Sequence, residues 1–289
     1  MNKINWFPGH MKKTLDMMKK EVKEIDVIIY MLDARAPYSS LNPSFLNIIK
    51  NKPVVFVLNK ADLVNKDNLS QFVQVLSKRD RSQVLVLNST LNNAKQKVVS
   101  ALETALAQRL SYYESKGAKI TLKAMIIGIP NCGKSTLSNT LAGRTKAVTG
   151  DKAGVTKSKQ WIKVSPYIEV MDTPGTLWPS IQNNEIAENL AFIGSIKIEV
   201  LDNEKLGFAI IERMRKLDLE GLEKRYNIKI NEEDSTIDVL DKIGESKGYK
   251  VRGGDVDYER IYLTVLNDYR YAKITNKILD KVEMLCNLK

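Results

Sequence analysis

Through the first 175 residues of the chain, short continuous apolar runs alternate with stretches of helical period. Residues 27–32, 54–58, 84–87 and 124–127 are unbroken apolar runs, the pattern of strands buried on both faces of a parallel sheet. Residues 41–51, 67–79, 93–112 and 134–142 separate or follow them with helical periodicity, so the order reads as an α/β, doubly wound, mostly parallel sheet. A closer pair, 161–164 and 167–171, is joined across Ser165-Pro166 and predicts a hairpin. Ahead of all these, Trp6, Phe7, Pro8, Gly9 and His10 make an aromatic, turn-prone start. The Lys-rich stretch that follows, with spaced Met and Leu, predicts one amphipathic helix over 10–25. Beyond about residue 180 the strand signals fade, and helices are predicted near 184–194, 205–216, 219–226, 235–247 and 256–271. The expected organisation is an α/β domain over 1–180 and a C-terminal all-helical domain over 181–289.

Composition adds limits to this picture. A chain of 289 residues with 43% hydrophobic residues can bury a sizeable core, and its length suits two domains. No run of about 18 apolar residues occurs, and the first residues lack the charged-then-apolar layout of a signal peptide, so a soluble, cytoplasmic protein without a membrane partner is expected. Cys132 and Cys286 are too few for a disulfide framework and lack metal-site spacing. Nothing in the pattern requires more than a monomer. The net charge of +11 and pI near 9.4 would concentrate polyanions around the protein and make nucleic acid a candidate partner. A lysine-rich surface that merely stays solvated would give the same charge.

The strongest chemical signal is Gly128-Ile129-Pro130-Asn131-Cys132-Gly133-Lys134-Ser135, a complete G-x-x-x-x-G-K-S between a predicted strand and a predicted helix. The backbone N–H groups of such a loop, Asn131 to Thr136 here, converge on phosphate oxygens, and the helix dipole adds to the attraction. Lys134 would reach the β- and γ-phosphates and Ser135 would bind Mg²⁺. Cys132 is expected to be a small spacer rather than a reactive thiol. Asn59-Lys60-Ala61-Asp62 follows another strand and selects the base: the Asp62 carboxylate can accept from both N1–H and the exocyclic amine of guanine, whereas adenine presents an acceptor at N1. GTP is therefore favoured over ATP. Asp172-Thr173-Pro174-Gly175 ends the hairpin, placing a carboxylate near the metal and the Gly175 N–H near a γ-phosphate. Thr156, in the loop before the hairpin, is a further candidate Mg²⁺ ligand, and Asn88 and Ser89 follow a strand where they could touch guanine O6.

These motifs are those of the translation-factor-like GTPases, but the base motif precedes the P-loop. The sequence resembles the circularly permuted GTPases, and more closely the bacterial ribosome-assembly GTPases of the YlqF/RbgA family. The motifs that carry the likeness are Trp6-Phe-Pro-Gly-His-Met11, Asp33-Ala-Arg-Ala-Pro37, Asn59-Lys-Ala-Asp62, the P-loop with Pro130-Asn131, Gly154-Val-Thr-Lys157, Trp161-Ile162, Asp172-Thr-Pro-Gly175, Leu177-Trp-Pro179 and Gly253-Gly254. The resemblance implies a GTPase acting late in maturation of the large ribosomal subunit, with a helical domain that contacts ribosomal RNA. It departs from Ras-like proteins after Gly175, where Thr176 replaces the glutamine that positions water. The resemblance gives His10, the only histidine, a candidate catalytic role that the ribosome would complete; docking of RNA remains the other reading. Asn131 matches the asparagine that helps hold K⁺ in cation-activated GTPases.

In the helical half, Tyr249, Lys250, Arg252, Arg260, Tyr262, Tyr269, Arg270, Tyr271 and Lys273 interleave aromatic and basic side chains, a composition suited to unpaired bases and phosphates. Lys250, Arg252, Arg260, Arg270 and Lys273 are the expected RNA contacts. Two functions stay open at this point: an RNA-activated GTPase in large-subunit assembly, and a slow GTP-sensing adaptor that recruits a protein partner.

Overall fold

The computed structural model describes residues 9–118, 120–143, 160–179, 181, 183–196 and 202–286. Its elements run α1 (Gly9–Glu21), β1 (Val27–Asp33), α2 (Pro43–Ile48), β2 (Val54–Asn59), α3 (Lys66–Ser77), β3 (Ser82–Val86), α4 (Ala94–Ala105), α5 (Ala107–Ser115), β4 (Leu122–Gly128), α6 (Lys134–Ala142), β5 (Gln160–Ser165) and β6 (Ile168–Asp172). The helices α7 (Asn184–Phe192), α8 (Asn203–Tyr226), α9 (Thr236–Lys247), α10 (Tyr258–Arg270) and α11 (Val282–Cys286) follow. Among the described residues no helix is long and apolar enough to cross a membrane.

The strands form one sheet in the order β3-β2-β1-β4-β6-β5. All neighbours are parallel except β5, which pairs antiparallel with β6 as the expected hairpin. Every residue of β1 and β2 is buried, which is why these strands read as continuous apolar runs. Side chains of β1 alternate between two faces. Val27, Ile29 and Met31 join a core with α4 and α6, while Ile28, Tyr30 and Leu32 join one with α2 and α3. The first core continues through Leu177, Leu190 and Phe192 into Ile210, Met214, Leu240 and Val265, so one face of the sheet and the helical part share a single apolar interior.

Helix starts follow local chemistry. Asn42, Asn65 and Asn183 each accept a backbone N–H of the first turn, and Ser235 with Asp238 forms a capping box. The expected helices 205–216 and 219–226 are both present, following each other within α8 and separated by the non-helical Asp218 (φ −159°, ψ 76°). Residues 93–112 hold two helices, α4 and α5, that meet at Leu106. Part of the expected helical domain returns to the sheet. Asn65 N donates to Asn276 O (2.8 Å), Leu279 N to Arg35 O (2.9 Å), and the buried Asp280 carboxylate accepts from Ser39 N (2.9 Å) and Ser39 Oγ (2.5 Å). Ile278 and Leu285 complete the apolar layer beside α3.

Candidate functional site

The chain winds away from β1 in two directions, to β2 and β3 on one side and to β4, β6 and β5 on the other. Crevices at the carboxyl ends of such diverging strands are where doubly wound sheets bind ligands. Asp33, Asn59, the P-loop after β4 and Asp172 all sit at that edge.

Asn59 joins three loops. Its Nδ2 donates to Cys132 O of the P-loop (2.9 Å), and its Oδ1 accepts from Ser89 N (3.0 Å) and Ser89 Oγ (2.8 Å). A Cβ on Gly133 (φ +103°) would collide with that amide, so glycine is required there. Thr140 Oγ1 of α6 donates to Ser89 O (2.8 Å), fixing the third loop against the P-loop helix. Lys60, in a left-handed conformation, donates from Nζ to Asn131 O (2.8 Å) and pairs with Asp33 Oδ2 (3.0 Å). Asp62 is exposed beside this frame, its carboxylate open to a base. The Asn88 side chain accepts from Thr90 N (3.0 Å) and Thr90 Oγ1 (2.6 Å) within its own loop.

The sequence pattern of the family described as 50S ribosome-binding GTPase matches residues 123–250, and that described as ethanolamine utilisation - propanediol utilisation matches residues 8–104. The chain is 36% identical over 272 residues to the ribosome biogenesis GTPase A of Bacillus cereus, an alignment covering 94% of this chain and 91% of that protein. It is 35% identical over 282 residues to the protein of the same name from Bacillus licheniformis, covering 97% and 99%. The chain belongs to the ribosome biogenesis GTPase A family. The solved structure of GNP-bound YlqF from T. maritima, 20% identical, superposes with a TM-score of 0.64 over 94% of this chain and 99% of that one, which shows the shared fold. The protein is a GTPase, and GTPases of this kind use Mg²⁺.

In this GTPase the phosphate side is less satisfied than the base side. Lys134 is buried, and its Nζ donates to Ile129 O of its own loop (2.6 Å). Gly175 lies against it: a Cβ there would stand 2.7 Å from Lys134 Nζ and 2.8 Å from Pro130 Cα. Asp172 is 4% exposed, and its Oδ1 has no hydrogen-bond partner among the described residues; neither has the buried Ser138 Oγ. Burial pushes the Asp172 carboxyl above its usual range, with the Lys134 charge only partly opposing it. A buried, unpartnered carboxylate oxygen beside a P-loop fits a cation. Ser135 and Thr136 open the first turn of α6, half-buried. Burial also pushes the Cys132 thiol up, away from the reactive thiolate. Thr176 is fully buried, its hydroxyl donating to Leu177 O (3.0 Å), and so offers nothing to a hydrolytic water. Thr156 lies outside the described residues, as does the side chain of His10, whose backbone is in the first turn of α1.

Asp33 and Arg35 are site residues whose role the motif pattern left blank. Arg35 grips Asp33 with both ends of its fork, Nε to Oδ1 at 2.8 Å and Nη2 to Oδ2 at 2.6 Å, and both side chains are buried. Burial alone would raise the Asp33 carboxyl, but the charges of Arg35 and Lys60 outweigh it and hold the group well below the carboxylate range. The position of Asp33, directly after β1 at the ligand-binding edge, was the available signal.

The helical surface divides. Lys250 and Arg252 are exposed on a tight loop closed by Val251 N to Asp255 O (2.9 Å), and the Arg260 guanidinium lies 4.2 Å from the Tyr249 ring centroid. Lys273 is half-exposed, 3.4 Å from Asp268. Arg270, expected among the RNA contacts, is half-buried and donates to Phe192 O (2.9 Å) and Ala191 O (3.0 Å), because it ends α10 directly over the end of α7. Tyr262 and Tyr269 are core residues, and Tyr271 is the exposed aromatic of the group.

Proposed function

We propose that this GTPase works in ribosome biogenesis at the large subunit and that the ribosomal particle completes its active site. The observation that carries this reading is the inward-turned Thr176: the hydrolytic water finds no side-chain amide at the place where Ras-like proteins supply one. Slow intrinsic turnover and acceleration by a partner follow from that gap. His10 is the candidate to orient the water once rRNA positions α1. Lys134 neutralises the β- and γ-phosphates, and the P-loop amides from Asn131 to Thr136 cradle them. Ser135, Asp172 and Thr156 would hold Mg²⁺, which neutralises phosphate charge; the orphaned Asp172 oxygen supports this assignment. Asn131 would offer its side-chain oxygen to K⁺, since its Nδ2 is already engaged with Gly194 O (2.7 Å). Asp62 reads guanine, with Asn59, Lys60 and Ser89 holding its loop in place.

Residues 181–289 supply an RNA-facing surface in which Lys250, Arg252, Arg260 and Lys273 neutralise phosphates and Tyr271 offers a stacking face. The +11 charge draws the protein to the particle, so association should weaken steeply with salt. The protein is read as a cytoplasmic monomer.

The experiment is GTP turnover against rising concentrations of purified large and small subunits, for wild type and His10→Ala. Turnover of the wild type rises with large subunits and saturates. The His10→Ala plateau drops, by as much as the roughly 10²–10⁴-fold of a general acid–base group, with GTP affinity unchanged. An equal plateau with a shifted midpoint would leave His10 as a docking residue. Absence of stimulation by large subunits would favour the adaptor, and stimulation by small subunits alone would move the site of action.

A further inference from the structure

We propose that Arg35 is a positioning residue that couples both halves of the nucleotide site to the helical domain through the C-terminal end of α7. Four successive carbonyls there each accept a side-chain donor from elsewhere in the chain. Ala191 O and Phe192 O accept from Arg270 at 3.0 and 2.9 Å, Ile193 O from Arg35 at 3.2 Å, and Gly194 O from Asn131 at 2.7 Å. The next residue returns the contact, Ser195 Oγ donating to Pro130 O at 2.8 Å. The last carbonyls of a helix lack intrahelical donors and carry the negative end of its dipole, so cations are favoured there. Here the donors come from the P-loop, the end of β1 and the end of α10 rather than from water.

The contacts close a ring. Asn131 O accepts from Lys60 Nζ, Lys60 pairs with Asp33, Asp33 is gripped by Arg35, Arg35 reaches Ile193 O, and the adjoining Gly194 O returns to the Asn131 side chain. Arg35 also donates to Arg270 O (2.9 Å), which brings in α10. Arg35 is 3% exposed and Asp33 fully buried, and polar links are strong and mutually dependent where water is excluded. Lys60 belongs to the base loop and Asn131 to the phosphate loop. A nucleotide-driven shift of either is therefore felt at the ends of α7 and α10, and by reciprocity the seating of those helices alters nucleotide affinity. This route is separate from the covalent one that leads from Gly175 into α7. It depends on the guanidinium plane, since a lysine keeps the charge but cannot grip Asp33 at two points while reaching two carbonyls.

The test uses the full-length protein without ribosomal particles, so its outcome is independent of the partner proposed above. Hydrogen exchange in peptides from α6, α7 and α10 is followed with and without a non-hydrolysable GTP analogue in wild type, Arg35→Lys and Arg270→Lys. In wild type the analogue slows exchange in all three helices. Arg35→Lys keeps the slowing in α6, loses it in α7 and α10, and weakens GTP binding about 5-fold or more, the low end of common couplings. Arg270→Lys, whose side chain has no place in the nucleotide site, leaves the Arg35 and Asn131 links to α7 in place, so it keeps the slowing in α6 and α7, reduces it in α10 with a smaller drop in affinity, and decides the matter if Arg35→Lys does not fold. A merely structural role would lower the melting temperature of both variants and leave the nucleotide-dependent change in α7 and α10 intact in both. That result, or a wild type whose α7 and α10 do not respond to the analogue, overturns the proposal.

Discussion

The base half and the phosphate half of the nucleotide site stand on the same edge of the same sheet, yet their polar groups are satisfied to different degrees. On the base side Asn59 uses both ends of its amide, Ser89 is held from two directions, and Lys60 and Asp33 are paired. On the phosphate side Lys134 rests on a carbonyl of its own loop, and among the described residues Asp172 and Ser138 each keep a buried oxygen without a hydrogen-bond partner. Native proteins leave few such atoms; Asn189, Asn203 and Tyr269 keep others, away from the P-loop, so it is the position of the Asp172 and Ser138 oxygens beside that loop that fits a ligand. On the assignment proposed above, the guanine frame is held by the protein's own hydrogen bonds, while the phosphate and metal frame keeps polar groups that Mg²⁺ and GTP would engage.

The largest effect should come from breaking the finished half. Asp33→Asn leaves the buried Arg35 without its counter-charge, and removing one partner of a buried pair costs about 3–5 kcal/mol. The pH dependence has a definite sign. Because the folded Asp33 carboxyl lies below its unfolded value near 3.9, its stabilisation is fully present above that value and is lost as pH falls toward the folded one. Urea unfolding of both proteins from pH 7 to pH 3 should show a gap that narrows only below about pH 4. A gap that stays constant across that range would mean the carboxylate charge is not the source.

Next in size is Lys134→Ala, which removes phosphate neutralisation and should lower GTP turnover about 10²–10³-fold, as loss of one electrostatic stabiliser does. Because the buried Lys134 also donates to Ile129 O and its charge opposes the burial of Asp172, the melting temperature of the nucleotide-free variant should fall as well, and turnover is compared at a temperature where both proteins are folded. Unchanged turnover would reject the assignment of the phosphate site. Asp62→Asn should be milder: hydrogen bonds to a charged group contribute about 1.5–3 kcal/mol, so GTP affinity should fall about 10–150-fold. Xanthine nucleotides should gain, since the new amide can donate where the carboxylate only accepted. Intact preference for GTP over XTP would move the base pocket elsewhere.

The sequence revealed the finished and unfinished halves unequally. The P-loop and Asn59–Asp62 are local, each a loop following a buried apolar strand, so a short window of residues was enough. Arg35 was visible as part of a motif but not as a coupling residue, because its partners Ile193 and Arg270 lie 158 and 235 positions away. In the helical half the sequence left open, for another reason, whether Tyr262 and Tyr269 face the core or the surface. Interleaved aromatic and basic residues do not say which face is buried, but Tyr262, Val265, Leu266 and Tyr269 recur at helical spacing, and all four are core. The short α11 carries too few residues to show a period, and the break between α4 and α5 at Leu106 occurs without Gly or Pro to mark it.

The smallest effect carries the opposite sign to that at Asp33 and bears most directly on the contrast between the halves. Asp172→Asn removes a buried charge while keeping the shape of the side chain. In the nucleotide-free protein the cost of burying the carboxylate competes with its attraction to Lys134 and with the Ser138 hydroxyl and Thr173 N–H beside it. Burial is the larger, since the carboxyl is pushed up rather than down. The variant should therefore be modestly more stable than wild type without ligand, because the neutral amide avoids the cost of burying a charge. Adding Mg²⁺ and GTP should reverse the order, because a ligand stabilises only the protein that binds it. Thermal unfolding with and without Mg²⁺–GTP gives four melting temperatures that decide this. A nucleotide-free variant less stable than wild type would mean that Lys134 already satisfies Asp172, and that the phosphate half is as complete as the base half before any ligand arrives.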